Sequence, residues 1–127
     1  MLKPISRFLL AVLLVFAVTA CSPELKGQDP AKVKVDLVTE PSPVKTGEKA
    51  VVTAQITGLT TQEGARVQLD VRLADNSGLP ELLDAKTSGD GNYSIEKTFD
   101  QPGKYAIYVH LYQGVLHITK KKVLDVS

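Results

Sequence analysis

His110 and His117 are the two histidines of the chain, and their spacing decides whether they can act together. Both fall where apolar and polar residues alternate, so strand pairing sets the distance between them. If Gln113-Gly114 is a two-residue turn, Tyr112 opposes Val115, His110 opposes His117 and Tyr108 opposes Thr119. Opposed residues have Cβ atoms about 5 Å apart, close enough for both imidazoles to reach one ion. A divalent ion prefers three or four ligands, and Asp70 is the carboxylate candidate for a third. Copper(II) accepts two imidazoles with oxygen, whereas zinc wants more nitrogen or carboxylate. The competing reading is that sparse histidines pack against Tyr108 and Tyr112 on a solvated sheet face. A third is a contact patch for another protein, since exposed tyrosine is enriched at interfaces.

Cys21 is the single cysteine. It follows a short basic start with Lys3 and Arg7, an apolar run over residues 8–17, and Val18-Thr19-Ala20. That order describes a secretory signal with small residues before its cleavage point. The run falls short of the roughly 20 apolar residues of a membrane-crossing helix. Apolar, small, small, then Cys resembles the bacterial lipobox, which implies a lipid thioether on Cys21 and cleavage before it. Two or three acyl chains give stable anchoring. One cysteine also excludes an internal disulfide, so the domain must stand on its own core.

Other chemistry is sparse. The chain carries 15 basic and 14 acidic side chains; without residues 1–20, which hold Lys3 and Arg7 and no acid, 13 basic face 14 acidic, a net charge of −1. Such balance provides no field to attract nucleic acid. No Ser–His–acid order, paired-carboxylate motif or phosphate loop is present, so no enzymatic activity is expected. Asp90-Gly91-Asn92 has too few acidic oxygens for calcium and suits a hairpin turn. Lys120-Lys121-Lys122 reads as a solvated strand end, with contact to anionic phospholipid or teichoic acid as the alternative.

The elements that must hold these residues are strands. Residues 22–31 carry Pro23, Gly27 and Pro30 without hydrophobic period and form a tether. From residue 32 onward alternation dominates and no 3.6-residue period appears. Val67, Leu69, Val71 and Leu73 alternate with Arg66, Gln68, Asp70 and Arg72; Tyr105, Ile107, Val109 and Leu111 share one face opposite Leu116 and Ile118. Lys120 and Lys122 fall on that inward parity, which calls for a bulge or a projecting strand end. A weaker strand is expected over residues 82–87. About seven short strands with turns at near-regular spacing predict an all-β, immunoglobulin-like sandwich. Tyr105, just after Pro102-Gly103, is placed to anchor a corner through its hydroxyl.

The ordered set Pro43-Val44-Lys45-Thr46-Gly47-Glu48-Lys49, Gly89-Asp90-Gly91-Asn92-Tyr93 through Phe99, and Gly103-Lys104-Tyr105, continuing to His110, His117 and residues 120–122, resembles the YtkA-like domain of bacterial surface lipoproteins. The resemblance covers roughly residues 33–126. It implies an immunoglobulin-like sandwich without an assigned activity, related to the FixH-like proteins of oxidase assembly, with some gene neighbours that handle copper. The family's last hairpin resembles His, six residues, His, then Met two positions on and Pro-Lys. Here Thr119 stands where the Met would be and Lys120 where the Pro would be, so the thioether of a copper(I) site is missing.

Together these readings give a cleaved lipoprotein signal over 1–20, a lipidated Cys21 with a tether over 21–31, and a sandwich over 32–127. The expected function is a non-catalytic binding or accessory module on the extracytoplasmic face of a cell membrane, contacting an envelope protein or membrane complex. The alternative is an envelope protein binding copper, or another divalent metal, through His110 and His117.

Overall fold

Alternation of β-branched and polar residues builds almost every element of the computed structural model, which describes residues 28–127. The signal segment, Cys21 and most of the tether lie outside the described residues. The strands are β1 Lys34–Glu40, β2 Lys49–Thr57, β3 Arg66–Leu73, β4 Glu81–Asp84, β5 Lys86–Gly89, β6 Asn92–Thr98, β7 Gly103–Gln113 and β8 Leu116–Val126. A short 3-10 turn at Pro30–Lys32 precedes them, with the Asp29 carboxylate accepting from the Ala31 amide.

Two four-stranded antiparallel sheets pack face to face, in the orders β1-β2-β6-β5 and β4-β3-β7-β8. The first has the A-B-E-D order of an immunoglobulin domain, and the second its C-F-G order with one added strand beside C. Val35, Val52, Ala54 and Ile56 face the core from one side; Val67, Leu69, Ile107, Val109 and Leu111 meet them from the other, all buried. Each large side chain buried in this way contributes about 1.5–3 kcal/mol. The expected inward set holds, with Leu116 and Ile118 also buried.

Eight strands replace the expected seven because residues 82–87 split between the sheets. The Ala85 amide still donates to the Val67 carbonyl of β3, at 2.9 Å, while Lys86 already pairs with Ser94 of β6. One residue therefore carries the chain from one sheet to the other.

The β7–β8 register differs from the expected one by two residues. Gln113 pairs with Leu116, so the turn is Gly114-Val115. Primed hairpin turns need positive φ at their first central residue; Gly114 takes it at +56°, where Gln113 would be strained. Gln113 stays in the strand, its Nε2 donating to the Thr61 and Glu63 carbonyls at 2.9 Å each. A two-residue slip keeps every side chain on its face but changes its partner. His110 now opposes Thr119, and His117 opposes Tyr112. Pairing runs unbroken past the lysines, so no bulge explains Lys120 and Lys122. Instead β8 is the outer strand of its sheet, where inward-pointing charge discourages edge-to-edge pairing; Lys120 is exposed and Lys122 half-buried.

Tyr105 performs its corner role, donating its hydroxyl to the Gln101 carbonyl at 2.8 Å and packing edge-on against Phe99 at 4.8 Å. Tyr105→Phe removes one such bond, worth about 1 kcal/mol, and should lower Tm by roughly 4–8 °C in a calorimetric scan. Tyr93, also in the core, donates to Gln62 Oε1 at 2.9 Å, and burial pushes its phenol up. A raised acid favours the fold while protonated: that stability is complete below about pH 10 and is lost as pH climbs toward the raised value. Tyr93→Phe should flatten this alkaline decline in denaturation midpoints measured against pH.

Candidate functional site

Because β3 and β7 are central and β4 and β8 flank them, the outer face of this sheet is a continuous ladder of side chains. Strand register places Asp84, Gln68, His110 and Thr119 in one row across β4, β3, β7 and β8. The next row along is Leu82, Asp70, Tyr108 and Lys121, and toward the turn come Arg66, Tyr112 and His117.

The imidazoles meet diagonally. His117 Nε2 lies 3.5 Å from His110 Nδ1, and Thr119 Oγ1 lies 3.0 Å from the same Nδ1. Tyr112 stacks on His117 with centroids 4.3 Å apart and 21° between planes. The Arg66 guanidinium sits 5.1 Å from the Tyr112 centroid, and Arg72 is 5.1 Å from that of Tyr108. Such cation–π contacts contribute about 0.5–1 kcal/mol at exposed sites. Arginine, two tyrosines and two imidazoles thus form one partly exposed aromatic surface.

Asp70 belongs to this face but does not approach the histidines. It opposes Tyr108, while the residue opposite His110 on β3 is Gln68. It is the one buried charged residue among those described, at 7% exposure. Both of its oxygens accept from Arg72: Oδ1 from Nε at 3.0 Å and Oδ2 from a terminal nitrogen. This fork-on-fork pair holds the Arg72 guanidinium even further above its ordinary range. Gln68 is likewise engaged, with Nε2 donating to Asp84 Oδ1 at 3.3 Å. Among the described residues no group of three or more His, Cys, Asp or Glu could hold a metal ion. The fit to copper or zinc is therefore a pair of nitrogens with one hydroxyl beside them. An N···N separation of 3.5 Å suits two imidazoles at about 2.0–2.1 Å from a shared tetrahedral ion.

Sequence reasoning placed His110, His117, Tyr108 and Tyr112 on one face, and they are there. It missed Arg66 and Arg72 as the cations that cover the tyrosines. Their signal was present: outward parity on the strand that pairs with β7. Cys21 lies outside the described residues. Among those residues no helix is long and apolar enough to cross a membrane.

An immunoglobulin-type sandwich with this surface defines a class, and the family follows from sequence. The YtkA-like family matches residues 27–110, more than half of the chain. The chain belongs to the YtkA-like family. The matched stretch ends at His110, leaving β8 and His117 beyond it. No curated protein matches the chain in sequence. In three dimensions it is similar to an engineered protein of known crystal structure, with a TM-score of 0.57 and 14% identity over 78% of this chain. The match spans only 21% of that longer chain. It is also similar to the soluble domain of PmoD from Methylocystis sp. ATCC 49242 (Rockwell), at a TM-score of 0.49 and 16% identity, covering 75% of this chain and 90% of that one.

Removing Arg72 would strand the Asp70 carboxylate under the sheet's outer surface. Arg72→Ala should lower stability in urea titrations, a loss that follows from leaving the buried carboxylate without its partner. Arg72→Ala with Asp70→Asn should recover part of it.

Proposed function

We propose that the protein is a lipid-anchored, extracytoplasmic accessory module that binds another envelope protein through the outer face of β4-β3-β7-β8, without catalysis of its own. The observation that carries this reading is the contrast between the two outer faces. Among the described residues the outer face of β1-β2-β6-β5 carries no aromatic side chain: Thr53 is hydrogen-bonded to Ser94 at 2.7 Å, Lys49 pairs with Glu96 at 2.9 Å, and Val38 is the large apolar residue exposed there. The opposite face holds both histidines, Tyr108, Tyr112, Arg66 and Arg72, while Tyr93 and Tyr105 are in the core. Tyr and Arg dominate binding hot spots because they bring large, stiff contact area with polar ends. Turned outward, they add nothing to the core; beyond the Arg72–Asp70 pair and the cation–π contacts, their exposed area is available to another surface. The lipobox ending in Cys21 supports the anchor, and the tether that follows it supports a domain held beside a bilayer.

A photo-reactive residue at Thr119 should give a discrete crosslinked adduct in intact envelopes, and Tyr112→Ala should cut its yield at least tenfold, as loss of a hot-spot residue does. The same residue at Thr53 should give none. Equal adducts from both faces would refute the proposed surface, and an unacylated Cys21 in mass spectra of native protein would refute the anchor.

The imidazole pair supports a second reading, a site for copper or another divalent ion at His110 and His117. Its basis is the 3.5 Å nitrogen separation. Calorimetric titration with copper(II) should then show one micromolar site that disappears in the His110→Ala, His117→Ala double variant; no heat from the unaltered protein would end this reading.

A further inference from the structure

Gln28 lies at one particular end of the sandwich and is fastened there. Gln28 Oε1 accepts from the Thr60 amide at 2.8 Å, and its Nε2 donates to the Thr61 carbonyl at 3.2 Å. Gly58 lets the following 3-10 turn press against the same loop: a Cβ there would lie 1.9 Å from the Lys32 carbonyl oxygen. Gln113, last residue of β7, donates to Thr61 and Glu63 of that loop. The Gly91 carbonyl at the β5–β6 turn accepts from Ile56 at 2.8 Å. The incoming segment, the β2–β3 loop, the β5–β6 turn and the β7–β8 turn are thus one bonded end. The histidines belong to it, His117 being the second residue after the β7–β8 turn.

Resting on the anchored reading above, we infer that this loop end is the bilayer-proximal end, and that the aromatic face meets its partner close to the membrane, on the exposed part of a membrane-embedded protein. Chain length sets the limit. From Cys21 to Gln28 the backbone spans at most about 25 Å, and His110 stands three strand residues, about 10 Å, from the turn. Gln28 and Gln113 both bond the Thr61 carbonyl, which allows about 10 Å between them, so the imidazoles stay within about 45 Å of the lipid attachment, whatever the tilt of the domain. The opposite end, with Asp100 and the β3–β4 turn, lies another 25 Å or so away along the strands. A freely diffusing partner gains nothing from such a short leash. A membrane-embedded one gains effective concentration, which falls once the tether outgrows the distance to be spanned. Lipid itself is a poorer occupant, because exposed Asp29, Glu63 and Asp90 offset exposed Lys32, Lys34 and Arg66 at that end and leave no net charge to draw it onto headgroups.

Acylation consumes the single native thiol, so an introduced cysteine carries a dye uniquely. Full-length acylated protein in phosphatidylcholine vesicles with a headgroup acceptor should show stronger energy transfer from Glu63→Cys than from Asp100→Cys. Equal or reversed transfer would overturn the orientation. A Cys21 found unacylated would instead sink the anchored reading, and this inference with it. For the partner, about thirty flexible residues inserted between Gly27 and Gln28 add roughly 30 Å of mean reach. They should lower the Thr119 crosslink several-fold in intact envelopes, and an unchanged yield would place the partner off the membrane.

Discussion

Two half-apolar sheets with no disulfide between them can stay together only if their inner faces leave no room for water. That constraint organises the domain. Val52, Ala54 and Ile56 on one sheet and Leu69, Ile107 and Leu111 on the other are almost wholly inaccessible. Tyr105 and Phe99 close the core at the end where Gln101 turns. With the inner faces committed to packing, everything polar or reactive along β3 and β7 must point outward, because parity leaves no third direction. The aromatic and cationic face is therefore the other half of the same alternation that builds the core.

This is also why so much was legible in the sequence. Strict period two in residues 66–73 and 105–111 identifies the central strands and assigns each side chain to a face. Tyr105 declared its corner through its place after Pro102-Gly103. Register was harder, because a slip of two leaves the alternation intact. Only the dihedral demand at Gly114 and the bonds of Gln113 to a loop fifty residues earlier select the observed pairing, and the second of these is invisible to local patterning. The sheet switch at Ala85 was missed for a related reason. Residues 82–87 have weak alternation, and the two four-residue strands they form are defined by partners remote in sequence.

Asp70 shows where residue type misleads. An outward carboxylate near two histidines invites a ligand role, yet a residue two positions along its own strand captures it first. Arg72 reaches back along β3 and satisfies both oxygens, and Tyr108 lies beneath the guanidinium. The pair organises the middle of the face rather than its chemistry, and leaves His110 with Thr119 and His117 beside its Nδ1. The chain shares the YtkA-like fold, but its surface is set by its own pairing of strands.

The strand ends carry a mechanical consequence. β1 and β8 both run from the loop end to the far end, and beyond β1 the chain joins β8 in parallel through Val44 and Val126, with Ser127 donating to the Val44 carbonyl and accepting from Thr46. A pull between the incoming segment and Ser127 acts on parallel neighbours in opposite directions. It loads those bonds side by side, in shear, so that they resist together instead of opening one at a time like a zipper. Under a pull applied at Ser127 these bonds would therefore give way together rather than in sequence.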